Sequence, residues 1–307
     1  MSIKKVVKYS FIIMAFIISV IAFINTIVIY QIKENNHTKI LINELVSMQE
    51  KMNELLKDTT QINSIDELEL KKQEFSKFEL NFEKIRENFV EKDSKDFVDI
   101  FISDIHENEV ISQKLEQLYE SEKQIEKAFD TIYELEKENI NLENQFEKDY
   151  PLENDIRKSL DLKIQELKDY ELYRLFSDIK YYSKETLYQY RDEKTLNKWL
   201  EKIDLFKEKY NHKEIDDYKQ IVSKVGNYVV LLKDIEDKEI FLGNKIIEVI
   251  NQNKVYSSQI ESKITELSSN FINITYFSIL FLLVVIIGFI VIIGYKVYKN
   301  IGLSVDE

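Results

Sequence analysis

The sequence predicts an all-α fold. Five Gly and one Pro in 307 residues leave long stretches without the residues that let a chain bend in special conformations. Two uncharged apolar runs near the ends, and apolar residues stepping by three and four between them, point the same way. Cysteine is absent, which excludes disulfide frameworks, Cys-ligated metals and thiol nucleophiles.

Residues 11–29 carry no charge and follow Lys4, Lys5 and Lys8; residues 274–295 form a second apolar run, followed by Lys296 and Lys299. Each is long enough to cross a hydrocarbon core of roughly 30 Å as a helix. The first run exceeds the apolar core of a secretory signal and no small-x-small cleavage site follows it, so an uncleaved anchor is expected. Short Lys-rich flanks stay cytoplasmic. The expected layout is a cytoplasmic N-terminus (1–8), transmembrane helix 1 (9–30), an extracytoplasmic segment (31–273), transmembrane helix 2 (274–295) and the truncated start of a cytoplasmic linker (296–307). This is a two-pass protein of the inner (cytoplasmic) membrane with both termini inside. All but two of the 55 acids lie in 31–273, and so acidic a segment repels nucleic acid.

Six helices are expected in that segment. In the first, Leu41, Leu45, Met48, Met52 and Leu55 take the spacing of a coiled-coil seam. The stretch "KDTTQINS" breaks it, and Ser64 with Glu67 forms a capping box for a second helix. Its stripe is Leu68, Phe75, Phe78, Phe82, Ile85 and Phe89, and it ends near Lys92. Asp93 or Ser94 caps a third helix reaching about Lys148 with Leu118, Ile125, Ala128, Ile132, Leu135, Leu142 and Phe146 on one face. "KDYPLEND" is expected to turn the chain, because Pro151 cannot continue a helix without cost. A fourth helix covers about 153–190, and a fifth starts at Asp192 with Leu196, Trp199, Leu200, Ile203, Phe206 and Tyr210 inward. Asn211 and Glu214 cap a sixth, which carries Ile260, Ile264, Leu267 and Phe271 up to the second span.

At about 1.5 Å per residue the first two helices, roughly 40 Å each, sum to the third at roughly 80 Å. The expectation is a chain that climbs in two short helices, returns in one long one, and repeats, giving two four-helix bundles stacked end to end. Gly243 falls near the level where they would meet, either as a bend, a close helix contact or a tolerated glycine.

This layout resembles the helical bimodular sensor domain between the two spans of bacterial chemoreceptors and sensor kinases, over roughly residues 31–273. The most specific stretch is "DIKYYSKETLYQYRDEKTLNKWLEKIDLF", residues 178–206, which is similar to that family's helix–turn–helix segment, with Ser183 and Lys184 where the family has Glu-Lys. The closing "KVYKNIGLSVDE" looks like the first turns of an output linker, more like that of methyl-accepting chemotaxis proteins than a kinase linker. The resemblance implies a transmembrane, chemoreceptor-like receptor that binds a small ligand, often an organic acid, inside a bundle and signals through transmembrane helix 2. It implies no cofactor, and cytoplasmic signalling partners only through a missing C-terminal part. Apolar seams on the first and last helices add an expected homodimer. Two alternatives stand beside this: the sensor part of a histidine kinase, and a membrane-anchored coiled-coil spacer without a ligand pocket.

Arg174 follows Leu160, Ile164, Leu167 and Glu171 at core spacing, so its guanidinium can face an acidic ligand, with Tyr170, Tyr173, Tyr181 and Tyr182 as walls. Alternatively the stripe shifts to Leu172, Leu175, Phe176 and Ile179 and leaves Arg174 on the rim, paired with Glu171 or Asp178. Arg86, beside Ile85, is the equivalent candidate on the second helix, whereas Arg157 and Arg191 suit capping and solvation. His37, His106 and His212 include no pair four apart, so no metal site is expected, and nothing in the sequence points to an enzyme.

Overall fold

A computed structural model describes residues 3–90 and 108–302, and no strand occurs among them. The helices are α1 (Ile3–Thr59), α2 (Ile65–Val90), α3 (Glu109–Leu167), α4 (Tyr170–Lys184), α5 (Glu193–Lys209) and α6 (Lys213–Gly302). One π-helical turn, Glu185–Gln189, closes α4. Both α1 and α6 contain a stretch long and apolar enough to cross a membrane.

Local capping chemistry starts several of these helices. Ser64 Oγ accepts the Glu67 N–H at 3.3 Å at the head of α2, and Asp192 Oδ1 accepts the Thr195 N–H at 2.8 Å at the head of α5. Asn108 does the same for α3 through Val110 and Ile111. The expected end near Lys92 and the caps at Asp93 or Ser94 lie outside the described residues, as does the side chain of Phe89. At the head of α6, Glu214 does not fold back on Asn211. It accepts from Ser159 Oγ at 3.0 Å and Lys163 Nζ at 2.5 Å, which fastens α6 to α3.

The turn expected at Pro151 is absent, because α3 runs through it to Leu167. A proline in a helix interior costs about 3 kcal/mol. Here Phe146, Tyr150, Ile156, Leu160 and Ile164, on both sides of Pro151, pack into one core, and that burial outweighs the lost hydrogen bond. The chain instead turns at Lys168, which adopts φ 51°, and Asp169 Oδ1 then accepts the N–H groups of Glu171 and Leu172 at 2.9 and 3.1 Å. The expected helix over 153–190 is therefore split between α3 and α4. A lysine in the left-handed region is strained by roughly 1 kcal/mol relative to glycine, so Lys168→Gly is expected to raise the melting temperature by about 1–3 °C.

The chain divides into two compact units. One takes its core from α1 (Leu41, Ile42, Leu45), α2 (Phe82), α3 (Ile111, Leu115, Leu118) and α6 (Ile260, Ile264). Here α1 and α6 run antiparallel, with Asn35 bonded to Ser268 and Lys39 to Thr265. The other takes its largest core from α3 (Leu160, Ile164), α4 (Phe176, Ile179), α5 (Leu196, Trp199, Ile203, Phe206) and α6 (Tyr218, Val222, Val225).

The direction of α2 also departs from expectation. It starts in the second unit and ends in the first, alongside the part of α1 that precedes it. Lys71 closes this hairpin on Asp58 at 3.5 Å, with Ile62 of the turn buried. On its other side α2 runs antiparallel to α3, with Phe75 stacked on Phe129 at 3.8 Å and Tyr133 donating to Glu69. The two short helices double back instead of climbing in series, because pairing their stripes at once buries both.

Two glycines of α6 behave differently. A Cβ at Gly226 would collide with the buried side chain of Leu196 on α5, whereas one at Gly243 would meet nothing within 4 Å. Gly243 is thus the tolerated glycine, and Gly226→Ala is the costly change. Overpacking costs typically 1–3 kcal/mol and offsets the gain of about 1 kcal/mol in helix propensity. Thermal unfolding is expected to show Gly243→Ala above the parent and Gly226→Ala at or below it.

Candidate functional site: a buried polar network on α3, α5 and α6

The inner face of α3 is interrupted one turn before Arg157 by Glu153, which is fully buried. Glu153 Oε1 accepts from Arg157 Nε at 3.0 Å and from the Tyr218 hydroxyl of α6 at 3.0 Å. Arg157 also donates through Nη2 to Asn154 Oδ1 at 2.9 Å, so its fork is largely used. Burial pushes the Glu153 carboxyl above the ordinary range, opposed by the Arg157 charge and the two hydrogen bonds. The Tyr218 phenol is pushed well up, first by burial and then by the adjacent Glu153.

Beside this core Glu153 Oε2 and Thr186 Oγ1 are buried without a hydrogen-bond partner, and the Trp199 indole N–H has only the Tyr218 hydroxyl beside it. An unpaired polar group in a dry core costs about 1–3 kcal/mol. The rim is aromatic. The hydroxyls of Tyr150 and Tyr188 bond to each other, burial and that bond push the Tyr188 phenol up to about 12, and Tyr228 donates to Asp149 at 3.2 Å. The arrangement leaves one carboxylate acceptor, Glu153 Oε2, inside the core beside the Arg157 guanidinium.

The residues selected from sequence do not assemble this way. Arg174 is exposed, and the buried stripe is the alternative one of Leu172, Leu175, Phe176 and Ile179. Tyr170 is 82% exposed and Tyr173 47% exposed, and Glu171 pairs with Lys209 of α5. Tyr181 is exposed, while Tyr182 packs against the core edge. Arg86, in the other unit, donates to Glu83 at 3.1 Å and stacks 5.0 Å over the Tyr119 ring, contacts that account for its position. The structure instead brings together Glu153, Arg157, Tyr218 and Trp199, and Arg157, expected at a solvated cap, is half-buried on Glu153. Their signal was an acid and a base four apart on the inner face, masked by the expected break at Pro151.

Next to the apolar runs, the first unit carries a polar layer. Gln31, Asn35 and Thr38 of α1 are buried, Gln31 Nε2 donates to Asn35 Oδ1 at 2.9 Å, and Asn35 reaches Ser268 of α6. No group of three or more His, Asp or Glu among the described residues could hold a metal ion. No protein-family model matches the chain, and neither does any curated protein or solved structure.

Proposed function

We propose that the chain is a two-pass membrane receptor whose segment 31–273 lies outside the membrane as two stacked four-helix bundles, and that α6 carries the signal through the second span. The observation that supports this most is α6 itself. One unbroken helix, Lys213–Gly302, carries Glu214, Tyr218 and Tyr228 in side-chain bonds to α3 and also the apolar run 274–295. A change in how α3 and α6 bond can therefore bias the position of a spanning helix. The polar layer around Asn35 suits such motion, because amide and hydroxyl pairs re-form after a small slide more readily than interlocked apolar side chains.

The apolar seams of a plain spacer would run unbroken, whereas here Glu136, Glu153, Ser183, Thr186 and Thr195 interrupt them. The ligand that suits Glu153 Oε2 brings a donor to it, as the amino or hydroxyl group of a small amino or hydroxy acid does. Exposed Ile240 and Phe241 on α6 offer apolar surface to a second copy.

Absence of native cysteine makes the test clean. In intact spheroplasts a membrane-impermeant maleimide is expected to label Glu208→Cys, and Tyr298→Cys only after permeabilisation. Thermal melts of the detergent-solubilised chain with a panel of small amino and hydroxy acids are expected to show a shift for at least one. Labelling of Tyr298→Cys in intact cells would overturn the topology, and an unresponsive panel with only monomer on crosslinking would overturn the receptor.

A further inference from the structure

We infer that Glu136 of α3 and Glu239 of α6 share one proton and form a clasp that holds these two helices together in the protonated state and weakens when the proton is lost. The two carboxyl groups lie within reach of each other across α3 and α6 and act on each other through their side chains. Glu136 is only 1% exposed, and two carboxyl oxygens, its Oε1 and the Oε1 of Glu239, are buried where no N–H or hydroxyl donor reaches them. Two ionised carboxylates cannot be held in such contact away from water, so one must stay protonated. Asn139 donates to Glu136 Oε2 at 3.2 Å, which places the negative charge on Glu136 and the proton on Glu239.

Among the described residues, cations of the neighbouring elements have partners of their own; Lys72 of α2 lies 4.2 Å over the Tyr133 ring, just before Glu136 on α3. On α3 and α6 the charges that act on the pair are Glu143 and Glu236, both acidic. Arg191, at the tip between α4 and α5, is spent on Glu236 at 2.9 Å, and Lys233 on Glu236 and Asp237. Lys238 pairs with Asp234. From the α1–α2 hairpin, Lys71 is paired with Asp58 and Glu74, and Glu69 accepts from Tyr133. Desolvation first, and then Glu136, raise the Glu239 carboxyl to about 8.

The sign of the effect follows from linkage. The folded state binds this proton more tightly than the unfolded chain, whose carboxyl titrates near 4.5. Stability from the clasp is therefore complete below about 4.5, declines as pH rises, and is gone above about 8. Only the signalling consequence, a looser α3–α6 contact at high pH, rests on the receptor reading; the proton site itself does not.

The test uses the full chain in detergent micelles with a chelator present. Between pH 6 and pH 9 the parent's melting temperature is expected to fall by at least about 3 °C more than that of Glu239→Gln, whose amide donates at every pH. Glu239→Gln should then melt above the parent at pH 9, and Glu136→Gln should flatten the slope as well. Infrared difference spectra should show a protonated carboxyl band in the parent at pH 7 that Glu239→Gln lacks. Parallel pH slopes, or no such band, would overturn the clasp. So would restoration of the parent's melting temperature at pH 9 by Ca²⁺ or Mg²⁺ alone, which would make the pair a cation site. Because no ligand and no dimer enter these readouts, their failure leaves the receptor reading separately testable.

Discussion

Arg157→Ala is expected to lower the stability of the chain by about 3 kcal/mol, at the low end of what removing one partner of a buried ion pair costs. Glu153 is fully buried, and Arg157 is the only cation that touches it among the described residues. The low end applies because the Arg157 side chain is itself 21% exposed. A drop of roughly 6–12 °C in melting temperature follows for a chain of this size. The loss has a pH signature. Burial already holds the Glu153 carboxyl above its ordinary 4.5, and without Arg157 the neutral acid is the form the core accepts. Stability of the variant is then retained below about 4.5 and falls as pH rises past it. Glu153→Gln should cost about 1 kcal/mol or less, since a neutral amide oxygen still accepts from Arg157 and Tyr218. Equal losses for the two variants, or no pH dependence in Arg157→Ala, would show that packing and not charge holds this site.

The sequence made the local chemistry readable and the long-range path unreadable. Ser64 and Asp192 cap the helices assigned to them because a capping bond reaches only three residues. The stripes of α1, α2 and α5 were readable for a similar reason: Leu45, Met52, Phe75, Phe82, Trp199 and Phe206 are all buried where their spacing puts them. Pro151 points to a turn because its penalty is local and visible in the sequence, whereas the opposing burial of Tyr150, Ile156 and Leu160 depends on α4 to α6. A turn at Pro151 would shift the start of the next helix and bring Arg174 inward, whereas it lies one position off the buried stripe. Helix lengths hold no information about direction, so the reversal of α2 could not follow from the sum that suggested a climb. Nor does a solvated-looking series of acids distinguish Glu136 from its neighbours until α6 is laid beside it.

Trp199→Ala carries the largest expected cost, about 3–5 kcal/mol, because it empties the middle of the core formed by α3 to α6. Trp199 is fully buried, as are Phe176, Ile203, Phe206 and Tyr218 in the same cluster, and none can leave its own helix face to fill the space. The indole N–H has only the Tyr218 hydroxyl beside it, so Trp199→Phe forfeits at most that one contact and should cost no more than about half as much. As the chain's single tryptophan, this residue also reports on its own core in the parent protein. Its fluorescence transition marks the melting of the second unit, while far-UV circular dichroism follows all helices. In Trp199→Ala the dichroism melt is expected to gain an early step, with the apolar-run unit, whose core is Leu41, Leu45, Phe82, Leu118 and Ile260, unfolding later. A single cooperative transition, shifted as a whole, would mean that the long helices α3 and α6 couple the two cores too strongly for either to melt alone. In that case a perturbation at Glu153 or Tyr218 would be transmitted along α6 as a change in the stability of the entire chain and not as a local rearrangement.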